Sequence, residues 1–262
     1  MKSERMRVEF LGTGTSQGVP LIACTCEVCT SSDSRDSRLR SSVLVQHPEV
    51  HLVVDSGPDF RQQMLRAKVQ RLDALVFTHG HKDHLAGTDD VRAFNYHQRK
   101  PMPIYADKAV QEALHREFYY AFQETRYPGI PELHLLEIDD SPFSIQEVEV
   151  VPLPVMHLHM PVKGYRIGPF AYITDANYIP DATVDLLQGC EVLVLNALRR
   201  TEHPSHFTLD QAVAQAERIG APRTYFTHIS HQMGLHAEVE QLLPHGLFLA
   251  YDGLVLEFNL PS

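Results

Sequence analysis

No stretch of this chain approaches the roughly 18 to 20 consecutive apolar residues of a membrane-spanning helix, so no membrane partner is expected. The polar opening from Met1 to Arg7 leads into no apolar signal core, which predicts a cytoplasmic protein. Tryptophan is absent, which excludes little. Basic residues are in short supply: 23 Lys and Arg stand against 33 Asp and Glu, a formal net charge of −10. A broad nucleic-acid face relies on clustered Lys and Arg, so an extended nucleic acid is not an expected partner. A small phosphate substrate stays open, because bound cations invert the local field. There are only four cysteines, and no internal repeat, low-complexity tract or linker is visible. The 262 residues are read as a single domain, 1–262, long enough for a sizeable core.

What the chain has in unusual number is histidine, 16 in all, and the densest group is Thr78-His79-Gly80-His81-Lys82-Asp83-His84. Four candidate metal ligands fall within six residues, directly after the apolar run Ala74 to Phe77. A surface loop that needed only solubility could use Ser, Asn or Lys. Imidazole and carboxylate at this density point to more than one divalent ion, and that donor set suits Zn, Mn or Fe. His79 and His81, two apart in an extended segment, can point the same way, while Asp83 and His84 can address a second ion. His157, Asp175 and His228, each just after an apolar strand, are the candidates to complete two sites.

Short apolar strands alternating with helical patterns predict an α/β architecture. Strands are expected at Arg7 to Leu11, Val43 to Gln46, His51 to Val54, Ala74 to Thr78, Ile104 to Ala106, Glu147 to Val151, Phe170 to Thr174, Glu191 to Leu195, Arg223 to Thr227 and Leu254 to Phe258. A helix is expected from Leu209 to Ile219, with Thr208 and Gln211 forming a capping box and Gly220 stopping it. A second should follow Pro58. Asp55, His79, Asp175 and His228 each end a strand, and parallel strands would bring such ends to one sheet edge, where ligands bind in open α/β folds. The aromatic-rich stretch from Glu117 to Leu133 reads either as a lid or base-stacking platform, or as helix packing followed by a Pro-rich loop.

These motifs resemble the metallo-β-lactamase superfamily of hydrolases, from Leu11 to His231: H-x-H-x-D-H, a later His after a strand, an Asp at a strand end and a final His. The resemblance implies a metallo-β-lactamase αβ/βα four-layer sandwich, two mixed β-sheets flanked by helices. It also implies one ion on His79, His81 and His157, a second on Asp83, His84 and His228, and Asp175 between them. Asp55 in Asp55-Ser56-Gly57 would buttress the metal loop. Two cations about 3.5–4 Å apart can share a hydroxide that attacks in line. Asp83, a ligand, is also counted with the catalytic residues.

Three of the four cysteines fall in Cys24-x-Cys26-x-x-Cys29. As disulfides they would leave an odd thiol, so in a chain expected in the cytoplasm metal binding is the better reading. A tetrahedral zinc site needs a fourth ligand, and His231, three residues after His228, is the choice. Cys190 reads as core. With the run Leu11 to Pro20, which lacks a phosphate-loop ending and reads as a tight turn, this cluster resembles one branch of the superfamily. That branch contains the phosphoribosyl cyclic phosphate phosphodiesterase of the carbon–phosphorus lyase pathway. His206 matches its additional active-site His, as general acid or donor to a phosphate oxygen. Arg199 and Arg200 could hold a phosphate or be solvated charge, and His159 has no assigned role.

The expected activity is metal-dependent hydrolysis of a small, cyclic or nucleotide-like phosphodiester, with two Mn or Zn ions in the active site and one structural Zn. A homodimer is expected by the same resemblance. The alternatives are tRNA 3′ processing, disfavoured because His157 and Asp175 lie only 18 positions apart (157 to 175) with no room for a long basic arm, and a non-catalytic metal-binding accessory protein, disfavoured because all the ligand positions are filled. β-Lactam hydrolysis is disfavoured because typical lactamases carry Cys where Asp175 stands.

Overall fold

The computed structural model describes residues 5–123 and 129–260. Its first half supplies strands β1 (Arg5–Gly12), β2 (Ser42–Gln46), β3 (His51–Val54), β4 (Ala74–Val76), β5 (Met102–Ala106) and β6 (Leu133–Glu137). The second half supplies β7 (Phe143–Ile145), β8 (Val148–His157), β9 (Met160–Ile167), β10 (Phe170–Ile173), β11 (Val192–Asn196), β12 (Arg223–Thr227) and β13 (Leu247–Leu249), and β14 (Val255–Asn259) crosses back beside β1. They form two seven-stranded sheets, ordered β14-β1-β2-β3-β4-β5-β6 and β13-β12-β11-β10-β9-β8-β7. Both sheets share one plan. An antiparallel run (β14, β1, β2, β3, and β7, β8, β9, β10) continues into strands parallel to its last member. This repeat is topological and leaves no trace in the sequence.

Strand alternation explains the layers. Leu52, Val54, Ala74 and Val76 point between the sheets to meet Tyr165, Phe170, Val192 and Val194. The residues in between point outward. Val53 and Leu75 pack under helices α1 (Phe60–Arg66), α2 (Lys82–Leu85), α3 (Arg92–Gln98) and α4 (Lys108–Glu117). On the other side Leu193 and Leu195 pack under α5 (Asp181–Leu186), α6 (Leu209–Ile219) and α7 (His236–Leu242). The four-layer sandwich implied by the resemblance is the observed fold. Replacing one of these buried leucines, such as Leu193, by Ala would cost about 2–5 kcal/mol. No helix is long and apolar enough to cross a membrane among the described residues.

The α6 helix has the expected bounds, the Thr208–Gln211 capping box and a left-handed Gly220. Cys190 is buried in the apolar cluster that α6 also joins. Four strands lie outside the expected set. β6, β7 and β13 are short and weakly patterned, and β9 contains Pro161, Lys163 and Gly164. β8 runs on to His157 through Pro152 and Pro154, which read as breakers but lie beyond the end of β7, where no ladder needs their missing N–H. In the aromatic stretch, Phe118, Tyr120 and Phe122 pack against the core under α4, so the packing reading holds for them. Tyr127 of the same stretch lies outside the described residues.

One expectation is corrected. The ligand-bearing strand ends do not share one sheet edge. Asp55 and His79 come after β3 and β4 in the first sheet, whereas Asp175 and His228 come after β10 and β12 in the second. The site is assembled between the sheets.

Candidate metal centre

Asp55, Asp175 and His228 adopt left-handed backbone conformations, with φ of 65°, 54° and 57°. A non-glycine residue there costs on the order of 1–3 kcal/mol unless the surroundings enforce it. All three stand at strand C-termini, where each strand must stop and turn its next side chain into the cleft.

Asp55 is fully buried and organises the histidine loop. Its Oδ1 accepts from the Thr78 amide at 2.9 Å, and its Oδ2 from the Thr78 hydroxyl at 2.8 Å and from His84 Nδ1 at 2.7 Å. The loop can come this close because Gly57 has no side chain: a Cβ there would meet the Asp83 carbonyl oxygen at 2.0 Å. With its Nδ1 committed to Asp55, His84 aims Nε2 into the cleft, 3.2 Å from carboxylate oxygens of both Asp83 and Asp175. That nitrogen is buried and makes no hydrogen bond of acceptable geometry. His228 Nδ1 lies 3.2 Å from the same Asp175 oxygen, while the Thr15 hydroxyl lies 3.3 Å from its other nitrogen. Ligand atoms of Asp83, His84, Asp175 and His228 all fall within 4.8 Å of one another.

On the other side of Asp175, His79 Nε2 and His81 Nδ1 approach to 3.0 Å. The His157 ring stands 5.8 Å and 5.3 Å from theirs. His157 Nδ1 is 2.8 Å from the Ser205 carbonyl, which makes it the donor and leaves Nε2 as the coordinating atom. The predicted trio His79, His81 and His157 does not by itself close to the 4.8 Å spacing; the group that does contains His157, Asp175 and His206.

The electrostatics ask for a cation. Burial opposes ionisation of Asp83 and Asp175, yet the neighbouring imidazoles hold both carboxyls well below the usual range. Burial also works against charge on His84, but Asp175, Asp55 and Asp83 together pull its pKa well up. His79 is pushed far down by burial and by the charge of His84, so it is a neutral, coordination-ready imidazole. Carboxylates, aligned imidazoles and an orphaned, buried His84 Nε2 fit divalent ions held by nitrogen and oxygen donors.

His206 is buried, with its Nδ1 unpaired and 3.7 Å from Asp175 Oδ1. Burial and the neighbouring His228 push it down to about 3, so it stands neutral and offers an N–H rather than a full charge. Its ring stacks on His228 at 4.9 Å.

A second cluster lies on the N-terminal loop. Ligand atoms of Cys24, Cys26, Cys29 and His231 lie within 4.8 Å of one another. His231 Nδ1 is 3.4 Å from Cys24 Sγ and 3.3 Å from Cys26 Sγ, and the cysteines are not disulfide-bonded. His231 draws the Cys26 thiol down to about 6, towards thiolate. Three sulfurs and one nitrogen match a closed tetrahedral zinc set. The glycine run explains how this loop reaches the cleft: a Cβ on Gly12 would sit 1.9 Å from the Arg40 carbonyl oxygen. Thr15 then donates a backbone hydrogen bond of 3.1 Å to the Ile229 carbonyl.

Sequence reasoning missed the residues that hold the candidate ligands: Thr78, Ser205, Thr15 and Asn196. Asn196 brackets Ala176, accepting its N–H at 2.8 Å and donating to its carbonyl at 2.9 Å, which fixes the turn carrying Asp175. As a polar residue ending an apolar strand, it bore the same signal as the ligands. His159 is exposed in the turn between β8 and β9. An apolar groove of about 550 Å³ beside α1 and α3 contains none of the ligand candidates.

Comparison with known proteins gives the family and the fold. A family model described as the beta-lactamase superfamily domain matches residues 51–229. A crystal structure described as a new diphosphatase from the PhnP family superposes with a TM-score of 0.91 at 42% identity, covering 97% of both chains. An octanoyltransferase of Porphyromonas gingivalis is 40% identical over 252 residues, 95% of this chain but 51% of that protein, so the chain spans about half its length. A ribonuclease Z of Halorubrum lacusprofundi is 25% identical over 322 aligned positions, 98% of each chain.

Proposed function

From a chain that belongs to the metallo-β-lactamase superfamily, in its PhnP-like branch, we propose a metal-dependent phosphodiesterase acting on a small, cyclic or nucleotide-like phosphodiester. The observation that supports this most directly is the buried His84 Nε2 set between the carboxylates of Asp83 and Asp175, with His228 closing the group. We assign His79, His81 and His157 to one ion, Asp83, His84 and His228 to a second, and Asp175 to both. Mn and Zn are the two candidate metals for these sites, since the nitrogen and oxygen donors serve either. Cys24, Cys26, Cys29 and His231 would hold a structural zinc.

Divalent ions at these positions supply Lewis-acid charge and a water acidic enough to be a nucleophile near neutral pH. The chain supplies alignment. Asp55 fixes the tautomer and direction of His84, and the Ser205 carbonyl does the same for His157. Hydrolysis breaks one P–O bond, and the departing oxygen takes a proton. The neutral His206 lies beside Asp175, where its N–H can hydrogen-bond that oxygen as charge develops. Between His157 and Asp175 the chain makes only β9, β10 and their turns, which leaves no basic arm there for a tRNA.

The test is a panel of cyclic nucleotides, ribose cyclic phosphates, dinucleotides and bis(p-nitrophenyl) phosphate, assayed with Mn and Zn separately, beside metal analysis. Two ions beyond one zinc, with turnover lost on chelation, are expected. His206→Ala should keep its metals and lose about 10²- to 10³-fold in kcat. One zinc per chain and no turnover on any member would overturn the reading in favour of an accessory protein, and preferred cleavage of a pre-tRNA would move it to RNA processing.

A further inference from the structure

Three turns of the candidate centre meet at Asn177: the one after His157 at the end of β8, the one after Asp175 beyond β10, and the one that brings in His206 ahead of α6. Backbone bonds make part of the junction. The Asn177 N–H donates to the Met156 carbonyl at 2.9 Å, and the Met156 N–H to the Tyr178 carbonyl at 3.0 Å. The Phe207 N–H, just past His206, donates to the Ala176 carbonyl at 3.0 Å. These bonds do not reach the tip of the β8–β9 turn or the chain ahead of His206.

The Asn177 side chain reaches both. Its Oδ1 accepts from the Leu158 N–H at 2.7 Å, and its Nδ2 donates to the Pro204 carbonyl at 3.1 Å. An N–H on one side and a C=O on the other call for a group with both an acceptor and a donor, which a carboxamide is and a carboxylate is not. Leu158 needs the tie. Its φ of 57° lies in the region that favours glycine, and at 47% exposure its side chain is poorly held by packing. Leu158 directly follows His157. Pro204 precedes Ser205, whose carbonyl holds His157 Nδ1 at 2.8 Å, and His206 comes next. The His157 and His206 rings stand 4.7 Å apart.

We infer that Asn177 is a positioning residue, whose carboxamide sets the spacing between His157, assigned to an ion, and His206, assigned to the departing oxygen. The inference rests on the phosphodiesterase reading and adds a residue that works through two backbone groups. Without the carboxamide the strained Leu158 turn can relax and carry His157 with it. The loop before His206 loses its tie at the same time. A displacement of about 1 Å in a catalytic group can cost on the order of 100-fold in rate.

Asn95 is the matched control. Its carboxamide also bridges chain segments, donating to the Lys100 and Glu132 carbonyls at 3.1 Å and accepting from the Glu132 N–H at 2.9 Å. It does so at the N-terminal ends of β5 and β6, opposite the strand ends that lead to the candidate ligands. Two substrates, assayed at saturating metal, separate a proton-dependent loss from a general one. Adenosine 2′,3′-cyclic phosphate releases an alkoxide that needs a proton, and bis(p-nitrophenyl) phosphate releases a weakly basic phenolate that does not. In Asn177→Ala, kcat on the cyclic phosphate should fall on the order of 10- to 100-fold with KM nearly unchanged, and the loss on bis(p-nitrophenyl) phosphate should be on the order of tenfold smaller. A second readout needs no turnover. Competition with a chelator should show one active-site ion held about tenfold more weakly in Asn177→Ala but not in Asn95→Ala. Asn177→Asp keeps the acceptor for Leu158 and loses the donor for Pro204, so it should hold that ion and still show the selective loss on the cyclic phosphate. Equal losses on the two substrates, or an ion affinity in Asn177→Ala that matches Asn95→Ala, would overturn the inference and leave the phosphodiesterase reading intact. If the wild-type protein turns over neither substrate, that reading fails and the chelator comparison alone decides the inference.

Discussion

Asp55 and Asp175 occupy equivalent places in the two sheets. Each comes within two residues of the end of the strand that closes an antiparallel run and begins a parallel one, and each takes a left-handed backbone conformation. Their carboxylates are used differently. Both oxygens of Asp55 are consumed inside the protein by Thr78 and His84. Asp175 faces His84 and His228 at 3.2 Å through one oxygen and His206 at 3.7 Å through the other. The segment beyond the next parallel strand decides the difference. After β4 the chain inserts the His79–His84 turn, and His84 comes to lie between the two carboxylates, held by one and aimed at the other. The fold thus fixes where a side chain can reach, and its neighbours decide whether it supports a ligand or is one.

The largest effect expected from this contrast is at Asp175. Asp175→Asn keeps the shape and removes the charge assigned to both proposed ion positions, so kcat should fall on the order of 10³-fold or more, with the second ion lost first in metal analysis. Asp55→Asn should cost on the order of 10- to 100-fold in metal affinity or activity, the usual range for a residue that orients a ligand. Equal losses at the two positions would collapse the distinction. His228 has a further candidate support, the cysteine cluster completed by His231, three residues beyond it. Cys26→Ser should therefore act mainly on stability. It should release one zinc and lower the Tm by on the order of 5–10 °C, while kcat in the folded protein falls less than tenfold. A loss as large as that of Asp175→Asn would make the cysteine cluster part of the chemistry.

The candidate ligands could be singled out in the sequence because metal chemistry restricts residue type and spacing: His79, His81, Asp83 and His84 stand out without knowledge of what lies around them. The equivalence of Asp55 and Asp175 could not be read, since it belongs to strand order and no sequence repeat records it. Thr78 acts through its amide and hydroxyl, Thr15 through its hydroxyl and Ser205 through its carbonyl, roles that any residue of the same type could fill. β8 reads short for a local reason, its prolines, whose cost disappears where the strand passes the end of β7. Apart from β8, each of these misses is a property conferred by a neighbour distant in sequence.

Buried histidines give the last and smallest test. His84, among carboxylates, is drawn towards its charged form, whereas His236 is drawn the other way. His236 Nδ1 accepts from Arg38 at 3.1 Å, Arg35 adds positive charge nearby, and Asp36 spends one oxygen on the His236 amide at 2.7 Å. Glu240 is 3.9 Å away and the Tyr251 ring 5.8 Å. Burial first, then Arg38 and Arg35, push His236 down to about 4 from its ordinary 6.5. The unfolded chain therefore takes up a proton below pH 6.5 that the native chain refuses until about pH 4. Stability from this group is complete above pH 6.5 and is lost as pH falls towards 4. His236→Gln keeps an acceptor for Arg38 and cannot titrate. It should be less stable than wild type at about pH 7, and the gap in Tm should narrow by a few degrees by about pH 4.5. Metal release at low pH affects both proteins, so the difference between them isolates the imidazole, and a gap independent of pH would show that His236 titrates alike in the folded and unfolded chains.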